Sequence, residues 1–174
     1  VLIFWFFRYL EVERGFTAGQ TMVTMLAAIA ALAAGYILGG SLSDFAFSRT
    51  PRGRAIVGGA GALVAALFLY ATMNVPADNR ALFTALLVVA GLMLSITPPN
   101  AMATVHDIVL PETRGTAQAI RKLVEDGGAA LAPWLAGVIA VRSSLQTAIT
   151  TVSVTTLVLC AVLFGVVAVF LPAD

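Results

Sequence analysis

"GGSLSDFAFSRTPRGR", residues 39–54, is the most polar stretch of a chain that is otherwise mostly apolar. It sets Asp44, Arg49, Arg52 and Arg54 between two long uncharged runs, Gly15–Ser43 and Ala55–Ala77. Two more such runs follow, Ala81–Val105 and Ser143–Ala173. Each exceeds the roughly 20 residues an α-helix needs to cross the hydrocarbon of a bilayer. Of the 174 residues, 60% are hydrophobic and 11% charged, whereas a soluble domain carries about 25% charged residues. Surface helices of soluble proteins keep a charged outer face, and these runs have none. The fold class that follows is an all-α polytopic membrane protein, in which the opening stretch is a charged hairpin joining two crossings.

Hydropathy divides residues 1–174 into a partial helix at 1–10 and spans at about 18–41, 55–75, 81–104, 116–141 and 148–171. The first segment, "VLIFWFF", reaches Arg8 after about a third of a crossing. It lies at the interface or is the end of a helix cut short. Trp5 and Tyr9 beside Arg8 suit the interfacial end of a span, which favours the second. The alternation of a membrane β-barrel is absent, and no run reads as a short N-terminal core followed by a cleavage site and a soluble body.

Several function classes fall away. Cys160 is the single cysteine and lies inside the last run, so no disulfide framework exists within the chain. His106 is the single histidine and is far from it, which makes a metal site improbable. "GGAGAL", 58–63, lies in a span and lacks the Lys-Ser/Thr of a phosphate loop. No catalytic residue, metal or cofactor is expected, and an ATP-driven pump or an enzyme is disfavoured. A net charge of +1 without a basic block gives no footprint for nucleic acid.

Alternating the short connections puts the loops at 11–17, 76–80 and 142–147 on one side. The loops at 44–54 and 106–115 and the C-terminal tail lie on the other. Six basic residues fall on the second side and four on the first, which places the 44–54 hairpin in the cytoplasm. Gly40 allows a tight exit from the helix before it. Asp44 can accept hydrogen bonds from an orphan helix N-terminus, and the arginines can pair with neighbouring carboxylates. The plain alternative is a solvated turn that fixes topology. Gly35 and Gly39 are spaced for close helix packing in lipid.

Two spans carry polar candidates. In the fourth, Pro98 and Pro99 remove backbone donors and break the helix ladder. Thr97 and Asn100 beside them are candidates for substrate contact or gating, against a purely structural kink. In the fifth, Arg121, Lys122, Glu125 and Asp126 interrupt a crossing. They form i,i+4 pairs, and Arg121, Lys122 and Glu125 fall on one charged, small-residue face. Ionisable groups within a span are costly and normally face a bundle interior or a water-filled cavity. Glu125 or Asp126 could accept a proton or cation during transport, or all four could snorkel at the cytoplasmic mouth as paired topology charges.

The form G-x-L-x-D followed by arginines resembles the signature loop of the major facilitator superfamily. The matching residues are Gly40, Leu42, Asp44 and Arg49, with Arg52 and Arg54 trailing. Phe47 and Ser48 stand where the family usually has a glycine and a basic residue. "HDIVLPETRGTAQAI", 106–120, resembles the loop entering the fifth helix of a half, through Pro111, Glu112, Arg114, Gly115 and Ala117. "ERGFTAGQ", 13–20, is similar to the outer loop before the second helix. "LSITPPNA" resembles the tenth helix of spinster-like members. These motifs imply the C-terminal six-helix half, with five complete helices and a truncated first one. A first half would usually show an arginine in its fourth helix and a Gly-Pro pair in its fifth.

The resemblance implies secondary active transport of a small solute by alternating access, proton- or ion-coupled, in a bacterial-type inner or plasma membrane. Gly40, Leu42, Asp44, Arg49, Glu112 and Arg114 would form a cytoplasmic gate, with Asp44 braced against the opposite half and Arg49 completing the cluster. The implied partners are a small-molecule substrate, the lipid bilayer and the N-terminal six-helix half. Spinster-like cargo would be lipid-like or an organic anion. A non-transporting scaffold or regulatory protein that retains the fold is the alternative.

Overall fold

The computed structural model describes residues 2–171, and the described residues form helices and short connections only. Helix α1 covers Leu2–Arg8 and widens into a single π-turn, Tyr9–Glu13. The others are α2 (Ala18–Phe47), α3 (Gly53–Met73), α4 (Arg80–Leu94), α5 (Thr97–Ile108), α6 (Arg114–Arg142) and α7 (Leu145–Phe170). A 3₁₀ turn, Pro111–Thr113, leads into α6. Five stretches are long and apolar enough to cross a membrane: Ala18–Phe47, Gly53–Met73, Arg80–Ile108, Pro111–Arg142 and Leu145–Phe170.

Local chemistry sets the boundaries. Gly15 adopts φ 63°, a left-handed conformation that costs glycine nothing. It turns the chain into α2, whose first turn is closed by a reciprocal Thr17–Gln20 capping box. Asn79 and Ser144 cap α4 and α7 by accepting from the amides of Leu82 and Thr147. The fourth span is two helices. Its ladder ends at Leu94, and Pro98 and Pro99 fall in the first turn of α5, where a missing N–H does no harm.

Two expectations change. Gly40 does not end the helix: α2 runs on to Phe47, and the hairpin turn is confined to residues 48–52. A single glycine inside a helix costs only about 1 kcal/mol, too little to end it. Tyr9, expected at the edge of a span, does not face outward. It is fully buried, with its ring 5.7 Å from that of Phe6 and 6.4 Å from that of Phe83.

Helix α3 is the hub of the packing, touching α2, α4, α5 and α7. Helix α2 lies along α4 through the glycine seam. A Cβ on Gly35 would strike the Leu92 carbonyl, and one on Gly39 would come within 2.7 Å of Ile96 Cα. The glycines of "GGAG" serve the same purpose, since Cβ atoms on Gly58 and Gly59 would meet the Phe164 side chain of α7. Helix α6 stands at the edge, against α7 and the inner end of α5, with Ala136 its only buried residue. The ends carrying residues 48–52 and 109–113 are called the inner face below, and those carrying 14–17, 74–79 and 143–144 the outer face.

Candidate gate network and transport helix

The inner-face charges centre on Arg54, in the first turn of α3. Its Nη1 donates to both carboxylate oxygens of Asp107 at 2.7 Å, and its Nη2 donates to Asp44 Oδ1 at 3.2 Å. The guanidinium also lies 4.1 Å from the ring centroid of Phe47. One cation therefore ties the inner ends of α2, α3 and α5 together. The Arg54 and Asp107 side chains are 18% and 27% exposed, whereas Asp44 is 75% exposed. Water screens the Asp44 arm and leaves the Asp107 arm as the stronger one.

Arg49 does not complete this cluster. It stacks 4.4 Å from the centroid of the Phe45 ring and forms no ion pair with either aspartate. Arg52 donates its Nε to the Leu171 carbonyl at the end of α7. Gly40, Leu42, Glu112 and Arg114 are at the surface or half-buried. Neither Glu112 nor Arg114 has an ion-pair partner among the described residues. The structure thus unites Asp44 with Arg54 and Asp107 and leaves the other gate candidates apart.

At the helix break Thr97 and Asn100 face the packed bundle. Thr97 Oγ1 donates to the Gly58 carbonyl at 3.3 Å. Asn100 is fully buried, and its Nδ2 donates to the Ile96 carbonyl at 2.7 Å. That bond supports the backbone where the ladder is interrupted. Asn100 Oδ1 and Ser43 Oγ, both buried, have no partner among the described residues, an unusual cost for polar atoms away from water. The register of the glycine seam, Gly35 to Leu92 and Gly39 to Ile96, puts Ser43 at the level of Asn100, one turn further on.

On α6 the four charges form the expected ladder. Arg121 Nη1 donates to Glu125 Oε2 at 2.8 Å, and Lys122 Nζ lies 2.8 Å from Asp126 Oδ1. Arg121 Nε also donates to Gln118 Oε1, whose amide reaches the Met102 carbonyl of α5. Beyond that bridge the ladder makes no hydrogen bond or ion pair to another helix among the described residues. Glu125 and Asp126 are 52% and 61% exposed, and Leu131 and Trp134 on the same helix are 59% and 65% exposed. The bulky apolar face of α6 is therefore uncovered, whereas the charged face is covered only at its ends, by the Gln118 bridge to α5 and by Ala132, Pro133 and Ala136, which are half-buried or buried.

A sequence profile of the Major Facilitator Superfamily matches residues 1–174. The chain belongs to that superfamily. No curated protein and no solved structure matches it. Membership makes this a chain of a transporter family and an integral, multi-pass membrane protein, consistent with the five membrane-competent helices. In this facilitator chain the residues that the sequence did not single out are Arg54 as a hub and Asp107 as its main partner. Their contact crosses 53 residues, so spacing along the chain gives no sign of it. The sequence offered only that the hairpin arginines, Arg54 among them, can pair with neighbouring carboxylates.

Proposed function

We propose that this facilitator chain is one half of a secondary active transporter that moves a small solute by alternating access, coupled to protons or another ion. The observation that carries the reading is α6. Within a crossing it holds Arg121, Lys122, Glu125 and Asp126, of which Lys122, Glu125 and Asp126 are more than half exposed and paired only along the helix itself. Charges at such depth face a bundle interior or a water-filled cavity. A second six-helix unit opposite α6 supplies that interior, and the solute path then runs between the two units.

A groove supports the same reading. About 120 Å³ of space runs inward from Phe6 between α2, α3, α4 and α7, lined by Met25, Leu32, Leu87, Ile149 and Leu157. Its lining includes Ser153, whose buried hydroxyl has no partner among the described residues. From Ile149 to Leu157 the groove is about 12 Å long at 1.5 Å per residue. That shape suits a helix in line with α1, as a complete first crossing of the half would provide.

Glu125 or Asp126 takes the coupling proton or cation, and the Arg54–Asp107–Asp44 network closes the inner face, which the basic bias assigns to the cytoplasm. The cargo is a lipid-like molecule or an organic anion, as the likeness to spinster-like members implies, and the membrane is an inner or plasma membrane of bacterial type. Proteoliposomes of the full-length protein under an imposed proton gradient test this with radiolabelled organic anions and lysophospholipids. At least one should accumulate. Glu125→Gln or Asp126→Asn should abolish accumulation while exchange survives. Unchanged accumulation in both variants assigns the four charges to topology.

A further inference from the structure

On the outer face, two consecutive residues hold opposite ends of two helices. Arg14 is 7% exposed. Its Nη2 donates to the Met73 carbonyl at 3.0 Å, its Nη1 to the Val75 carbonyl at 2.5 Å and its Nε to Tyr9 Oη at 2.7 Å. The guanidinium also lies 4.6 Å from the centroid of the Phe83 ring on α4. Met73 is the last residue of α3, so a buried cation sits at that helix's carbonyl end.

Glu13 turns the other way. Its two carboxylate oxygens accept from the amides of Leu145 and Gln146 at 3.1 and 3.2 Å, in the first turn of α7. The Gln146 side chain then donates to the Met73 carbonyl at 2.5 Å and closes the ring. A cation at a helix C-terminus and an anion at an N-terminus are each the favourable partner of the helix dipole. The π-turn of α1 ends in an Arg14 N–H to Tyr9 carbonyl bond of 3.1 Å. π-Turns of this kind are rare and concentrate at functional positions.

We propose that Glu13 and Arg14 are positioning residues for transport, a paired dipole clamp that makes the outer end of α1 move as one body with α3 and α7. The inner half is built differently. There the fourth crossing is interrupted at Ser95–Ile96, and the nearby Asn100 Oδ1 and Ser43 Oγ are unpartnered among the described residues. Bending is easiest where the ladder is broken and hardest where a buried guanidinium donates to three acceptors. The outer ends turn as a plate, and deformation collects at the break. This inference rests on the alternating-access reading above.

Spin labels at positions 12 and 143, both exposed, read the clamp in the full-length protein. The parent should give one narrow distance distribution, with or without an imposed gradient. Arg14→Gln should broaden it, and gradient-driven turnover should fall about tenfold while KM stays within about twofold. Arg14→Lys keeps the charge without the planar fork and should fall between. If Arg14→Gln does not fold, Glu13→Gln, which loses the charge at the start of α7, carries the same test. A narrow distribution with full turnover in the folded variants overturns the clamp, as does a loss confined to KM. If the parent transports nothing while the Arg14 variant broadens, the clamp stands and the alternating-access reading fails.

Discussion

Replacing Asp107 by asparagine should destabilise the inner face more than the same change at Asp44. Hydrogen bonds to a charged partner contribute about 1.5–3 kcal/mol each. Arg54 gives Asp107 two contacts of 2.7 Å from one nitrogen, with both side chains mostly buried. Because one Nη1 serves both oxygens, the pair counts as a single strong interaction, about 2 kcal/mol. The Asp44 arm is longer, at 3.2 Å, and its carboxylate is 75% exposed. Exposed pairs contribute about 0.2–1 kcal/mol. The two variants should therefore differ by about 1 kcal/mol or more, several-fold in any equilibrium that opens the network.

Thermal unfolding of the full-length protein in detergent, with a double-mutant cycle over Arg54→Gln and Asp107→Asn, isolates the pair. Asparagine keeps the shape and an acceptor, so the cycle reads the charge and not a cavity. Asp44→Asn should lower the midpoint only slightly. If Asp44→Asn costs as much as Asp107→Asn, or if the Arg54–Asp107 coupling is under about 0.5 kcal/mol, the assignment of Arg54 as hub is wrong.

Other outcomes follow from the packing and the turns. Gly39→Val should cost about 1–3 kcal/mol by overpacking, because its Cβ would press on the Ile96 backbone, and Gly40→Ala, with nothing within 4 Å of its Cβ, should be neutral or slightly stabilising; paired thermal melts decide. Gly15→Ala has room but forces a left-handed backbone on an L side chain, so it should lose about 1–2 kcal/mol in the same assay. Asn100→Ala should remove the brace on the Ile96 carbonyl and raise hydrogen exchange at the amides of residues 95–100, while Thr104→Val should leave that segment's exchange unchanged.

The membrane architecture was legible because it rests on run length, and a bilayer imposes that length on any helix that crosses it. The glycine seam was legible for the same local reason: Gly35 and Gly39 fall on one face of one helix. The Arg121–Glu125 and Lys122–Asp126 pairs were likewise visible, since i,i+4 spacing brings such groups together on any α-helix. What could not be read lies across the bundle. Arg14 sits in "ERGF", which looks like a solvated outer loop, yet its acceptors are the carbonyls of Met73 and Val75, 59 and 61 residues away. Backbone carbonyls carry no sequence signature, so a buried arginine that binds them looks like any topology charge. Asp44 drew attention through the signature loop, and Asp107 did not, although it holds the shorter contacts to Arg54. Gly40 was misread because a glycine's conformational freedom was taken as a helix exit. One glycine costs a helix only about 1 kcal/mol, and α2 continues to Phe47.

Two-sided accessibility of the small-residue face of α6 tests the transport reading most directly, and it needs no knowledge of the solute. A cysteine is placed at Ala129, one turn beyond Glu125, in the full-length protein with Cys160 replaced by serine. Membrane-impermeant thiol reagents are then applied separately to each side of sealed vesicles. If this chain forms half of an alternating-access transporter, the cysteine should react from both sides, and conditions that raise its reactivity from one side should lower it from the other. Reactivity from one side alone, or from neither, under every imposed gradient would contradict the account and leave a fold retained without the motion.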